Sequence, residues 1–431
     1  VHDGADDGVY DATRQIFIDS LSPLQRALYD RLPFRLTLDQ MNVIMEMDDD
    51  LDRGYREREL VANDEKNDAA ERAETERPPV FTMARLLQGD VGSGKTLAAF
   101  FACLRVISWK GQCAFMAPTE LLARQHAENA SRMLAPLGIR VAFLTGNVKA
   151  SGRSELLKQL KAGNIDIVIG THALFSDAVQ YNDLQLAVID EQHRFGVHQR
   201  LQLQDKTAPG VSVHQLVLTA TPIPRTIAMT VFGDLDTAVL DELPAGRRPV
   251  ATHLVPWERQ AWVEGIWRRA AREVASGGRV YVVCPRIDAG DQEQGEDDPD
   301  RPEAFDDLPE EPDGGVDREG PTRPPAAVAE WAQRLADEPS LTGTGIGTLT
   351  GRMTSAEKDA AMEAFASGAA PVLVATTVIE VGVDVPEATM MVILDADRFG
   401  LSQLHQLRGR VGRGDRSSVC VATTGVEVGS T

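Results

Sequence analysis

A chain of 431 residues has room for two or three domains, each large enough to bury its own core. No apolar run is long enough to span a bilayer, the opening Val1-His-Asp-Gly-Ala-Asp-Asp is too acidic for a secretory signal, and the four cysteines (Cys103, Cys113, Cys284, Cys420) sit singly among apolar neighbours, which argues against a membrane protein, a secreted disulfide scaffold and a cysteine metal site. The net charge of −21 speaks against a nucleic-acid partner, but nearly all of it lies in two segments, with 14 acidic against 2 basic residues over 291–320 and 13 against 6 over 46–77, so the global sign does not exclude one.

In chain order, residues 1–31 read as a leader or linker, and a first domain is expected over 32–245. Within it the polar, helix-compatible stretch 46–79 reads as a partly ordered surface insertion. Met83–Leu87 reads as a strand and the run from Thr96 as a helix. Between them Gly89-Asp90-Val91-Gly92-Ser93-Gly94-Lys95-Thr96 fits the phosphate-binding pattern G-x-x-x-x-G-K-[ST] at every fixed position. The glycines let the backbone curl so that its N–H groups converge on phosphate oxygens. Lys95 adds a point charge near the β and γ phosphates, and Thr96 offers a hydroxyl to Mg²⁺.

Further strands are expected at 114–117, 140–144, 166–170, 186–190 and 215–219. A Pro/Gly/Arg-rich joint follows at 243–249. A second domain over 246–431 repeats the pattern, with strands at 279–284, 345–349, 371–375, 390–394 and 418–422. Near-continuous β-branched runs between helices indicate parallel strands covered on both faces, so the fold class is α/β with two tandem parallel-sheet domains. The stretch 291–325 is rich in Asp, Glu, Pro and Gly. It cannot bury enough surface to offset its ordering entropy and is expected to be a disordered acidic insertion.

Two further constellations carry chemistry. Val188-Ile189-Asp190-Glu191-Gln192-His193 is an apolar strand ending in two carboxylates, at the strand end that lies beside a P-loop in this architecture. Asp190 suits a metal ligand acting through its water shell, and Glu191 suits a base that polarises the attacking water. His193 is a candidate reporter of the γ-phosphate. Gln406-Leu-Arg408-Gly-Arg410-Val-Gly-Arg413-Gly414 crowds arginines with glycines. Its spacing predicts Arg410 and Arg413 on one helical face, placed to act as arginine fingers on a transferring phosphoryl group.

These motifs, together with Leu32-Pro-Phe-Arg-Leu-Thr-Leu-Asp-Gln40, Met116-Ala-Pro118-Thr119-Glu-Leu-Leu-Ala123, Gly170-Thr171-His-Ala173, Leu218-Thr219-Ala-Thr221-Pro-Ile-Pro-Arg-Thr226, Asp241-Glu-Leu-Pro244 and Ala375-Thr376-Thr-Val-Ile-Glu-Val-Gly-Val-Asp-Val-Pro386, resemble superfamily 2 helicases and translocases, most closely the RecG-like family of branched-DNA helicases. The resemblance runs from Leu32 to Cys420 outside the two insertions. It implies two tandem RecA-like domains with an ATP site in the cleft between them, ATP and Mg²⁺ as cofactors, and ATP-driven remodelling of branched or duplex DNA by a cytoplasmic, nucleoid-associated monomer. It implies that Gln40 reads adenine, that residues 89–96 with His193 hold the nucleotide, and that Thr96 and Asp190 hold the metal. It assigns catalysis to Glu191, Gln406, Arg410 and Arg413. Pro118, Thr119, Thr171 and Thr376 grip the DNA backbone, while Thr219 and Thr221 link hydrolysis to movement.

Ser93 and Gln192 favour this family over the transcription-repair coupling factors, which share the His-Arg-Phe-Gly and Thr-Pro-Ile-Pro-Arg-Thr signatures. A clamp that binds nucleic acid under ATP control without strand separation is the alternative from a different class. An RNA helicase is disfavoured because the acidic box reads Asp-Glu-Gln-His. The family also carries an N-terminal wedge domain and a C-terminal segment. The lengths before Leu32 and after Gly414 lead to the expectation that this is a motor core alone.

Overall fold

In a computed structural model, the apolar runs that alternate with helices assemble into two α/β units, Val1–Pro244 and Ala245–Thr431. The structure describes residues 4–67, 80–90, 92–145, 150–176, 178–190, 213–219, 235–242, 250–287, 326–377, 385–412, 414 and 416–425.

The first unit begins with three helices, α1 (Gly4–Ser20), α2 (Pro23–Tyr29) and α3 (Leu38–Asn67). Its sheet contains β1 (Ala84–Gly89), β2 (Gln112–Met116), β3 (Val141–Leu144), β4 (Ile167–Gly170), β5 (Leu184–Asp190), β6 (His214–Thr219) and β7 (Asp236–Leu240). These pair in parallel in the order β3-β4-β2-β5-β6-β1-β7. Helices α4 (Lys95–Ser108), α5 (Glu120–Leu134) and α6 (Ala150–Lys161) complete the described part. β2, β4 and β5 are buried at every position, as strands covered on both faces must be.

The N-terminal helices are not a leader. Phe17 of α1, Leu28 of α2 and Met41, Ile44, Met47 and Leu51 of α3 share one core with Phe100, Phe101 and Leu104 of α4. Burying a Met, Leu or Phe side chain is worth roughly 1.5–3 kcal/mol, so this packing ties all three helices to the P-loop helix.

The described part of the expected surface insertion at 46–79 is helical, with 46–67 continuing α3, but its first turns pack into the core rather than lying on the surface. The run is acidic for a structural reason. Met47 and Leu51, one turn apart, point into the core. On one side of that stripe Glu46 and Asp50 pair with Arg85 of β1, at 2.6 and 2.7 Å. On the other side Asp52 pairs with Arg105 of α4 at 2.5 Å. Asp48 accepts two 2.9 Å hydrogen bonds from Gln25 Nε2, which also donates to the Phe101 carbonyl. The strand entering the P-loop and the helix leaving it are therefore both held by α3.

The second unit contains β8 (Ala251–Pro256), β9 (Arg279–Val283), β10 (Ile346–Leu349), β11 (Val372–Ala375), β12 (Ala388–Ile393) and β13 (Val419–Thr424), parallel in the order β10-β11-β9-β12-β13-β8. Its helices are α7 (Gln260–Ala275), α8 (Val328–Ala336), α9 (Ser355–Ser367) and α10 (Leu401–Arg408). Trp267, Trp331, Val282, Val374 and Val392 lie in its core. Asp395, in the left-handed region at φ 52°, accepts from Trp257 Nε1 and from the Ala326 amide, each at 2.7 Å. It thus fixes Ala326, the first described residue after 291–325, a segment outside the described residues.

Candidate nucleotide and nucleic-acid site

The P-loop joins β1 to α4. Gly92 and Gly94 take φ of 83° and 94°, conformations that cost an L side chain, and a Cβ on Gly89 would collide with the Ser93 hydroxyl. Lys95 is nearly buried, and its ammonium donates to the Gly89 and Asp90 carbonyls at 2.7 and 3.0 Å. The lysine thus lies inside its own loop. Ser93 Oγ is buried with no partner among the described residues. Thr96 stands in the first turn of α4, whose N-terminus favours anions. Val91 lies outside the described residues.

Gln40 reaches this loop from α3. Its Nε2 donates to the Ser93 carbonyl at 2.7 Å, and its Oε1 accepts from the Thr37 amide at 3.0 Å. One further N–H and one lone pair are left on the amide for a base edge. Next to it, Asp39 Oδ2 accepts from the backbone amides of Asp241 and Glu242, at 2.9 and 2.8 Å, and Glu242 Oε2 accepts from the Leu38 amide at 2.9 Å. This reciprocal clasp fastens the start of α3 to the segment near the end of the first unit. It could not be read from spacing, because its partners are about 200 residues apart in sequence.

Asp190 ends β5 and is buried. Its Oδ2 accepts from His126 Nε2 at 2.7 Å, since a carboxylate can only accept. His126 sits on α5, against the Phe115 ring at a centroid separation of 4.8 Å. The sequence offered a signal for it: it is the polar member of the buried stripe Ala123, His126, Ala127, Ala130, Leu134.

Thr119 caps the same helix, its Oγ1 accepting from the Leu122 amide at 3.3 Å, so that hydroxyl has a structural duty beside any contact with DNA. Pro118 and Thr119 are half-buried, and Thr171 is buried at the head of a single 3-10 turn after β4. Thr219, at the end of β6, is buried. Glu191, His193 and Thr221 lie outside the described residues.

In the second unit Thr376 follows β11 and its amide donates to the Leu349 carbonyl at 3.2 Å. Gln406 is buried in α10. The expected helical face for Arg410 and Arg413 does not form. α10 ends at Arg408, and Arg410 stands in the turn beyond it, before Gly412 at φ 80°. The glycines explain the break, because Gly409 and Gly412 end the helix where spacing alone would continue it. Arg413 lies outside the described residues.

The donors fit ATP and a hard cation. The glycine cradle, the indrawn lysine and the helix N-terminus suit phosphates. Among the described residues no cluster of three or more His, Cys, Asp or Glu could hold a metal by itself. One hydroxyl at the phosphate cradle and one carboxylate at the end of β5 in the same sheet are donors of the kind that suit Mg²⁺, which keeps waters and takes its remaining ligands from the nucleotide. All four cysteines are buried and unbridged. Among the described residues no helix is long and apolar enough to cross a membrane.

Two parallel-sheet units, the first with this phosphate cradle, make a tandem RecA-like helicase fold. Residues 74–230 match the DEAD/DEAH box helicase family, and residues 326–415 match the helicase conserved C-terminal domain. The chain is 44% identical over 415 residues to the ATP-dependent DNA helicase RecG of Treponema pallidum, covering 95% of this chain and 52% of that protein. It is 46% identical over 340 residues to RecG of Escherichia coli O127:H6, covering 79% and 44%. A RecG solved bound to a three-way DNA junction superposes with a TM-score of 0.68 at 35% identity, covering 93% of this chain and 44% of that one. Mss116p bound to ssRNA and AMP-PNP, at a TM-score of 0.62, 15% identity and coverages of 94% and 73%, shares the fold alone. The chain belongs to the RecG family. It spans about half the length of the relatives it matches.

Proposed function

We propose that this chain is the motor of an ATP-dependent DNA helicase or translocase that remodels branched DNA, such as stalled forks and Holliday junctions, in repair and recombination. The observation that carries the reading is the P-loop cradle with Lys95 drawn into it and the buried Asp190 on the same sheet, in a chain of the RecG family.

In this reading Lys95 moves from the Gly89 and Asp90 carbonyls to the β and γ phosphates as ATP enters, where its hydrogen bonds are charge-assisted. Gln40 holds the adenine edge, and Gly89, Asp90, Val91, Gly92, Ser93, Gly94 and Thr96 line the phosphates. Thr96 and Asp190 hold Mg²⁺, which when bound neutralises charge on the phosphate oxygens. Glu191 takes a proton from the attacking water, and His193 senses the γ-phosphate. Gln406, Arg410 and Arg413 of the second unit stabilise charge on the transferring group. Pro118, Thr119, Thr171 and Thr376 hold the DNA backbone without reading sequence, and Thr219 and Thr221 couple hydrolysis to movement. The protein works as a monomer in the cytoplasm, associated with the nucleoid.

The test is conversion of a synthetic replication fork to a reversed junction by the full protein. ATP with Mg²⁺ should drive it. Equal conversion with a non-hydrolysable analogue would sink the reading.

A further inference from the structure

The His126–Asp190 bond has no assigned duty. Both side chains are buried, at 7% and 10% exposure. A polar pair so placed is costly to leave unsatisfied, so each partner fixes the other. Asp190 Oδ2 is taken by the imidazole, and the carboxylate makes no other side-chain hydrogen bond among the described residues. A carboxylate with one oxygen tethered presents the other in a fixed direction. Metal-binding carboxylates held this way keep their geometry between turnovers.

We propose that His126 is a positioning residue for the metal-ligating carboxylate of Asp190, donating from Nε2 to Oδ2 so that Oδ1 faces the cation. The inference rests on the reading of Asp190 as a Mg²⁺ ligand. The imidazole is anchored in turn. It is part of the buried stripe of α5, with its ring against Phe115 of β2, the strand paired directly with β5. The orientation of Asp190 is therefore set by two elements, its own strand and the helix that Thr119 caps. A solvent-facing carboxylate at the end of β5 would sample several rotamers and lose that entropy on each binding event.

The bland account is a histidine that merely satisfies a buried carboxylate. The two accounts differ in what is lost when the donor is removed. Equilibrium binding of a fluorescent ADP, measured with and without Mg²⁺, separates them without any turnover. His126→Leu removes the donor at similar volume, His126→Asn keeps polarity but is too short, and His126→Gln returns an N–H near the position of Nε2. Metal-free ADP should bind all variants as it binds the wild type, because the P-loop does that work. The Mg²⁺ concentration giving half of the affinity gain should rise about ten-fold or more in His126→Leu and His126→Asn, the usual effect of losing an outer-shell partner. It should return to within about two-fold of wild type in His126→Gln. Should His126→Leu fail to fold, the Asn and Gln pair decides.

An unchanged Mg²⁺ requirement in folded His126→Leu or His126→Asn overturns the inference, provided Asp190→Asn loses it. His126→Gln behaving like His126→Asn also overturns it. An unchanged requirement in Asp190→Asn itself removes Asp190 from the metal site and takes the underlying reading with it.

Discussion

Replacing Asp48 by Asn should stabilise the first unit, and more so as pH rises. Asp48 is 3% exposed, and burial, opposed by Arg105 and by the Gln25 amide, pushes its carboxyl up to about 7 from 3.8. A folded pKa above the unfolded one means the carboxyl favours folding in its protonated form. That contribution is complete below about pH 4 and is lost as pH climbs through about 7. A tenfold change in a protonation equilibrium is worth about 1.4 kcal/mol, so an ionised Asp48 costs the first unit about 4 kcal/mol above pH 7 and under half of that at pH 5. The amide of the Asp48→Asn variant does not titrate and keeps one carbonyl acceptor for Gln25 Nε2. The advantage of the variant should therefore widen by about 2–3 kcal/mol between pH 5 and pH 8, or about 5–10 °C in the transition of a unit this size. Calorimetry of both proteins at the two pH values reads this directly. If the variant is instead less stable at pH 8 than at pH 5 relative to wild type, Asp48 is an ionised partner of Arg105, 4.0 Å away, and the reasoning fails.

Three further outcomes are expected. Lys95→Ala should abolish ATP turnover, and wild-type turnover would remove the P-loop from the mechanism. Arg413→Ala should leave nucleotide affinity nearly intact while hydrolysis drops about a thousandfold; equal loss of binding would assign it a structural role. Deleting 291–325 with a short flexible linker should leave the melting of the second unit nearly unchanged, and a collapse of its thermal stability would show that the segment contributes to the fold.

The buried strands of both sheets were legible because they are continuous apolar runs, from Ile167–Gly170 to Met390–Ile393. β7 and β8 were not expected, and both lie at the edge of their sheets. Edge strands need not be apolar throughout, and Asp236–Leu240 and Ala251–Pro256 are exposed at several positions. The packing of α3 is hidden because over 46–67 its acidic residues outnumber its apolar ones, although Ile44, Met47 and Leu51 keep helical spacing. What the acids do depends on Arg85 and Arg105, which no local pattern reveals. The places of the P-loop, between β1 and α4, and of Asp190, at the end of β5, are legible because an apolar strand precedes each and glycines or acids end the run. His126 carries only the weak signal of a polar residue in an apolar helical stripe, which does not name its partner, and the clasp of Asp39 with Asp241 and Glu242 is a tertiary contact with no spacing rule to announce it.

ATP turnover measured with forked DNA, plain duplex and RNA of equal length tests the central claim most directly. The account predicts strong stimulation by forked DNA, less by duplex and little by RNA. Equal stimulation by RNA, or none by any of the three, would contradict it.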